Sequence, residues 1–329
     1  MNKSRRRFTR DVGLCATALS GFSLLRTTAC PTPSNVVKDQ GRIVVAQDTN
    51  VLSNGSVARI VLKKMLDGAI PTYTNTSDAA AGWKALFSPK DIVGLKLNCL
   101  GGRGLSPNSE IVDLIVKALI EAGLPETNII VWDRFDLDLT RAGFTLNKQG
   151  KGHRVTGTDR FYDSRPTLMG SIGSCYSRFL SEVCTAIINL GVLKDHDLAG
   201  VSVAMKNWYG TIHNPHKYHS NNCDPYIADL SASKMIRMKH RLTIIDALHA
   251  QYKGGPAYAP AFRWETDMII VGTDEVAIDT FGAHIIDEKR KKENEPTLKK
   301  SGKYPPWLKA AHERGLGEND LSKIKVIRV

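Results

Sequence analysis

The densest run of chemically capable side chains is Met205-Lys206-Asn207-Trp208-Tyr209-Gly210-Thr211-Ile212-His213-Asn214-Pro215-His216-Lys217-Tyr218-His219, followed by Ser220-Asn221-Asn222-Cys223-Asp224. Three histidines at spacings of three, with a thiol four residues after the last, offer the imidazole and thiolate ligands that zinc, copper, nickel and iron take. Pro215 interrupts any local helix, so the three rings are not held to one face. His219 and Cys223, with Cys99 from upstream, are therefore candidate ligands for a metal ion of unassigned identity. The same run also reads as a polar loop whose histidines make ordinary hydrogen bonds. Lys206 closes the apolar run Val201 to Met205 and so stands where a strand ends, the edge at which open α/β sheets take ligands. An ammonium there neutralises an anion or, once desolvated, serves as a catalytic base. Plain exposure to solvent is the competing reading.

A second stretch, Leu97-Asn98-Cys99-Leu100-Gly101-Gly102-Arg103-Gly104-Leu105-Ser106-Pro107-Asn108, lies between a predicted strand and a predicted helix. Gly101 and Gly102 let backbone amides approach a small anion or cofactor closely, and the helix start adds unpaired N–H groups. Lys96 and Arg103 add charge. The run is neither G-x-G-x-x-G nor a Walker sequence, so nucleotide binding is weakly supported, and a tight turn capped by Ser106 or Asn108 accounts for the same residues. In a third stretch Asp246 follows the buried run Ile244-Ile245 and is a candidate catalytic carboxylate; Gly254-Gly255-Pro256 beyond it makes a sharp turn. Thr273 or Asp274, ahead of Val276, reads as a helix cap. The expected site is the convergence of Lys96, Cys99, Lys206, His219, Cys223 and Asp246. No G-x-S-x-G elbow supports a serine hydrolase.

Positioning these residues requires alternating strands and helices. Arg42 to Ala46, Asp91 to Leu97, Asn128 to Trp132, Cys184 to Leu190, Ala199 to Met205, Leu242 to Ile245 and Met268 to Val271 read as strands. Ser53 to Leu66, Asn108 to Ala122, Asp224 to Met235 and Val276 to Ile286 read as helices. The order predicts an α/β fold with a mostly parallel central sheet flanked by helices. A second, smaller lobe or an inserted segment is expected, with a boundary near 143–175, where Gly, Ser, Thr and Arg accumulate.

The chain of 329 residues carries +12. Much of that charge is N-terminal: a basic segment, the apolar stretch Val12 to Leu25 and a small-residue region ending at Ala29 follow signal-peptide order. Ser4-Arg5-Arg6-Arg7-Phe8 with Arg10 resembles the twin-arginine export signal. About fourteen apolar-rich residues fall short of the ~20 that a spanning helix needs. The expectation is a signal peptide over 1–29, the twin-arginine translocase as partner during export, a lead-in over 30–41, and an α/β body over 42–329. The destination is then periplasmic or otherwise exported, with lipid attachment through Cys30 as the alternative to a free terminus. Removing 1–29 takes away six basic residues and one acidic residue, leaving +7. The remaining basic runs, such as Lys289-Arg290-Lys291-Lys292, neighbour glutamates and lack interleaved aromatics, which argues against nucleic acid. No later segment is long and apolar enough to span a membrane. A disulfide between Cys175 and Cys184 is one possible pairing among five remaining cysteines.

Taken together, Val93-Gly94-Leu95-Lys96-Leu97-Asn98, Met205-Lys206-Asn207-Trp208-Tyr209-Gly210, His219 with Asn222-Cys223-Asp224-Pro225, Asp246-Ala247 with Gly254-Gly255-Pro256, and Thr273-Asp274 with Ala277 and Asp279 resemble the family called domain of unknown function 362, in its twin-arginine-exported branch. The resemblance covers roughly residues 40 to 290 and implies little about activity. Relatives with ferredoxin-type cysteine clusters are described as iron–sulfur proteins; this chain has no Cys-x-x-Cys and so lacks that spacing. The expected function is a metal- or cofactor-dependent redox or proton-transfer enzyme, and the alternative is a non-catalytic anion-binding or accessory protein.

Overall fold

The strands form where apolar, β-branched runs are bounded by turns. In the computed structural model, which describes residues 40–53 and 55–329, they are β1 (Arg42–Gln47), a small hairpin of β2 (Leu52–Ser53) and β3 (Ser56–Val57), β4 (Val93–Leu97), β5 (Ile129–Asp133), β6 (Arg154–Gly157), a second hairpin of β7 (Thr167–Met169) and β8 (Ile172–Ser174), β9 (Ala186–His196), β10 (Gly200–Ser202), β11 (His240–Gln251), β12 (Arg263–Gly272) and β13 (Lys325–Arg328). The helices are α1 (Arg59–Thr74), α2 (Ala79–Leu86), α3 (Ser109–Glu121), α4 (Asp136–Ala142), α5 (Tyr226–Ser231), α6 (Lys234–Lys239), α7 (Glu275–Lys292) and α8 (Trp307–Glu313). The expected export segment 1–29, Cys30 and the lead-in as far as residue 39 lie outside the described residues.

One sheet runs β13-β1-β12-β11-β9-β4-β5-β6, with β10 paired to β9. Strands β11, β9, β4, β5 and β6 run parallel to one another, whereas β12 is antiparallel to both β11 and β1, and β10 is antiparallel to β9. The mostly parallel α/β sheet expected from the alternation is thus present. Every residue of β4, β5 and β9 is buried, which is what a sheet covered on both faces demands. The period of two divides them: Val93, Leu95, Leu97 and Val131 join the apolar layer with α1, α2 and α3, while Ile130, Trp132 and Ile187 join the layer with α7 and α8. Lys96, on the same side as Trp132, is driven into that second layer, its ammonium 5.7 Å from the Trp132 ring.

Some elements differ from the sequence expectation. The helix expected from Ser53 starts only at Arg59, because the β2–β3 hairpin precedes it. The helix expected over Asp224 to Met235 is two helices, broken at Ser233, whose backbone is extended. The strand expected over Ala199 to Met205 stops at Ser202 and gives way to a tight 3-10 turn over Met205–Thr211. The segment 143–175 supplies β6 to the sheet edge and the β7–β8 hairpin. Cys175 and Cys184 are not bridged; Cys99, Cys175, Cys184 and Cys223 are all free thiols.

The topology fixes where a ligand can sit. From β4 the chain moves outward through β5 and β6, then returns to β9 on the other side of β4 and moves outward again to β11. The order of strands therefore reverses between β4 and β9, and the connections leaving their carboxyl ends diverge there to leave a crevice.

Candidate functional site

A cleft of about 600 Å³ opens at the carboxyl ends of β4, β5 and β9, and Lys96, Asp133, His196, Lys206 and His219 are among its walls. A larger groove of about 770 Å³ lies between α1, α2 and α3, where Lys63 pairs with Asp67, and none of the candidate residues reaches it. Lys96, Lys206 and His219 are in the smaller cleft.

Lys96 forms the floor and is fully committed. Its ammonium donates to Asp133 Oδ1 at 2.6 Å, Leu97 O at 2.5 Å and Asn207 Oδ1 at 2.9 Å, which uses all three of its protons. Asp133 is equally occupied: Oδ1 also accepts the Arg134 backbone N–H and Oδ2 accepts that of Cys99, each at 2.7 Å. Gly210 must pack directly on this pair, since a Cβ there would stand 2.6 Å from Lys96 Nζ. Behind the floor, Lys194 is wholly buried and donates to Asn98 Oδ1 at 3.1 Å; burial brings its ammonium down to about 8.

Lys206 is different. Its Nζ lies 3.0 Å from His219 Nε2 and 3.8 Å from the centre of the Tyr209 ring. Burial, with a further push from Lys194 and an opposing pull from Cys223, lowers its pKa to about 7. His219 Nδ1 is 3.0 Å from the carbonyl of Pro215, which can only accept, so Nδ1 carries the proton and Nε2 presents a lone pair to Lys206. Burial and then the Lys206 charge bring His219 down to about 4, keeping the ring neutral. His196 Nδ1 accepts from the backbone N–H groups of Leu198 and Ala199, both at 3.2 Å, and burial, Lys206 and His219 push its pKa to about 2. The rings of His196 and His216 each stack with that of His219, at 5.7 and 6.1 Å between centres.

The acidic groups of the cleft do not serve Lys206. Asp133 is bound to Lys96, and Asp197 to Lys303. Burial, aided by Asp133, raises the Asp138 carboxyl. Arg134 donates to His213 O at 2.9 Å and lies over the Phe135 ring, and its buried Nε has no partner. Among the described residues neither Lys206 nor Arg134 is paired with a carboxylate.

The turn carrying Lys206 is held from α7. Asp279 accepts the backbone N–H groups of Ala204 at 2.7 Å and Met205 at 2.9 Å, and Glu275 accepts from Trp208 Nε1 at 2.7 Å. Asn207 donates to Asn189 Oδ1 at 2.6 Å and to Lys96 O at 3.1 Å, tying the turn to β9 and β4.

Of the residues expected to converge, Lys96, Lys206 and His219 do so. Cys223 is buried with its Sγ 4.0 Å from His219 O, and Cys99 is buried beside Asp133; burial raises both thiols. A thiol must ionise to bind metal, and both His219 nitrogens are engaged elsewhere, so His219, Cys223 and Cys99 do not fit a metal set in this arrangement. Among the described residues no group of three or more His, Cys, Asp or Glu gathers at metal-binding spacing. Asp246 lies outside the cleft: Oδ2 accepts Asn108 N at 2.7 Å and Nδ2 at 2.8 Å, so the carboxylate anchors the start of α3. Gly101 and Gly102 form the tight turn, in which Gly102 has φ +64° and donates to Cys99 O. Arg103 lies against Gly143 rather than in the cleft. Asp133, Arg134, Lys194, His196 and Asp279 were not among the candidates; each is a polar residue at the end of, or inside, an apolar run.

No curated protein and no solved structure matches the chain. A family model described as domain of unknown function (DUF362) matches residues 93–284, a span that begins at β4, ends within α7 and includes every wall of the cleft. With more than half of its length matched, the chain belongs to the DUF362 family.

Proposed function

We propose that this protein is a proton-transfer enzyme that holds a small anionic ligand at the carboxyl ends of β4 and β9, with Lys206 as the proton carrier. One observation carries the reading: a desolvated lysine, without a carboxylate partner, stands 3.0 Å from the lone pair of a neutral imidazole on a cleft wall. With its pKa brought to about 7, Lys206 is present near neutrality both as ammonium and as amine. The amine takes a proton from a ligand C–H beside a carbonyl, and the electron pair left behind moves onto the carbonyl oxygen. Lys206 is then an ammonium, next to the charge it has created, and Arg134 adds a second cation. Return of that proton completes a cycle that consumes nothing. His219 orients the Lys206 nitrogen through Nε2.

Exchange of ligand hydrogen for deuterium tests this. In heavy water, a panel of 2-oxo and 2-hydroxy carboxylates is followed by NMR with the full chain and with Lys206→Arg. The expected outcome is exchange in at least one acid, lost in Lys206→Arg, because a guanidinium does not give up its proton near neutrality. Binding without exchange in any acid would transfer the cleft to the second reading, a non-catalytic anion-binding protein, which the unpaired Arg134 and Lys206 also favour.

Export is a separate proposal, supported by Ser4-Arg5-Arg6-Arg7-Phe8 and the apolar stretch after it. Arg5→Lys with Arg6→Lys is expected to leave precursor in the cytoplasm; unchanged export of the double variant overturns the twin-arginine route.

A further inference from the structure

Building on the anion-binding reading of the same cleft, we propose that its ligand is a carboxylate carrying an apolar chain or ring, its head against Lys206 and its body along the cleft mouth. The cleft has two chemically distinct ends. Its inner wall holds Lys206 and the neutral His219; its walls also include Leu100, Phe135, Leu198 and Pro256. Leu100 is 60% exposed and Leu198 48% exposed. A single exposed leucine is ordinary on a protein surface. Here the two stand on the turns that leave β4 and β9, the strands between which the sheet order reverses, and both line the one cleft. Apolar surface placed there is covered when a ligand with an apolar body enters.

Size gives an independent argument. About 600 Å³ is the space of roughly 20 waters. A bare phosphate or acetate would leave most of it wet, whereas sites for small organic ligands run from roughly 300 to 1,000 Å³. Charge sets the head group. Of the described cations that line the cleft, Lys96 is paired with Asp133 whereas Lys206 and Arg134 have no carboxylate partner, and Arg134 donates to a backbone carbonyl. Both cations suit an anionic head, and the apolar walls beside them favour an organic carboxylate over free phosphate.

Calorimetry at pH 6 with acetate, hexanoate, octanoate, 1-hexanol and inorganic phosphate tests the proposal on the full chain. Affinity is expected to rise from acetate to octanoate by about three- to fourfold per methylene that becomes buried. Hexanoate is expected to bind at least tenfold more tightly than 1-hexanol. The double variant Leu100→Ser with Leu198→Ser changes exposed side chains, leaving the core intact; it is expected to retain acetate binding and flatten the dependence on chain length. Affinity independent of chain length, phosphate binding more tightly than octanoate, or 1-hexanol matching hexanoate each overturns the inference while leaving anion binding in place. If no anion of any length binds, the anion reading fails and this inference falls with it.

Discussion

Lys96 and Lys206 are the same residue type in one cleft, and their surroundings give them opposite work. Lys96 has a carboxylate and two further acceptors for its three protons, so its charge is spent on holding β4, β5 and the 205–211 turn together. Lys206 has a ring face and an imidazole lone pair, and burial takes its pKa from 10.5 to about 7. This difference has a thermodynamic signature. Between about pH 7 and 10.5 the unfolded chain holds a proton on Lys206 that the folded chain has released, so stability rises with pH through that window. Below pH 7 both states are charged, and the full cost of burying the ammonium is present. Lys206→Met is therefore expected to stabilise the protein at pH 6, on the order of a few kcal/mol, with a smaller gain at pH 9.5. Urea unfolding at the two pH values reads the change; a difference between variant and wild type that does not vary with pH would show that Lys206 titrates normally.

At the level of elements, the cleft depends on α7 gripping the turn that bears Lys206. Both oxygens of Asp279 accept backbone N–H groups of Ala204 and Met205, fixing the start of the turn. Asp279→Asn puts an amide NH₂ where one of those donors needs an acceptor. The expected result is a loss of about 1–3 kcal/mol in urea unfolding, as for a buried donor left unsatisfied. Acetate affinity is expected to fall as well, since the turn positions Lys206; unchanged affinity would mean that Asp279 supports the fold without positioning the lysine. Much of this element layer was legible in the sequence. β4, α3, β5 and α7 announce themselves by apolar periodicity, and Asp274 caps α7 as its position implied. The carboxyl end of β9 did not: the expected strand stopped at Leu190, and Lys194, Asp195 and His196 beyond it are polar. They remain strand because β11 and β10 pair with Lys194 from both sides.

Across the whole molecule, sequence order does not say which strand ends meet. Lys96 and Lys206 come together because β4 and β9 are neighbours and the 205–211 turn folds back over their carboxyl ends. Asp246 looked equivalent, at the end of a buried strand, yet its strand lies beyond β9, and its nearest unsatisfied donors are those at the start of α3. The pairing of Asp133 with Lys96 was likewise invisible, since nothing in the Asn128 to Trp132 run indicates what lies across from it. His219 and Cys223 show the converse: four residues apart in sequence and both near Lys206, they do not make a metal pair, because both imidazole nitrogens are engaged and burial raises the thiol. Among the described residues, the strand-order reversal between β4 and β9 yields a crevice whose wall carries a desolvated ammonium, Lys206, without a carboxylate partner, and anion binding depends on that group. The most direct measurement is calorimetric titration of hexanoate into the wild type, Lys206→Arg and Lys206→Met at pH 6 and pH 9. The expected result is wild-type binding at pH 6 that weakens at least tenfold at pH 9 as the ammonium is lost, binding by Lys206→Arg that holds at both, and none by Lys206→Met. Equal wild-type affinity at the two pH values, or undiminished binding by Lys206→Met, would contradict it.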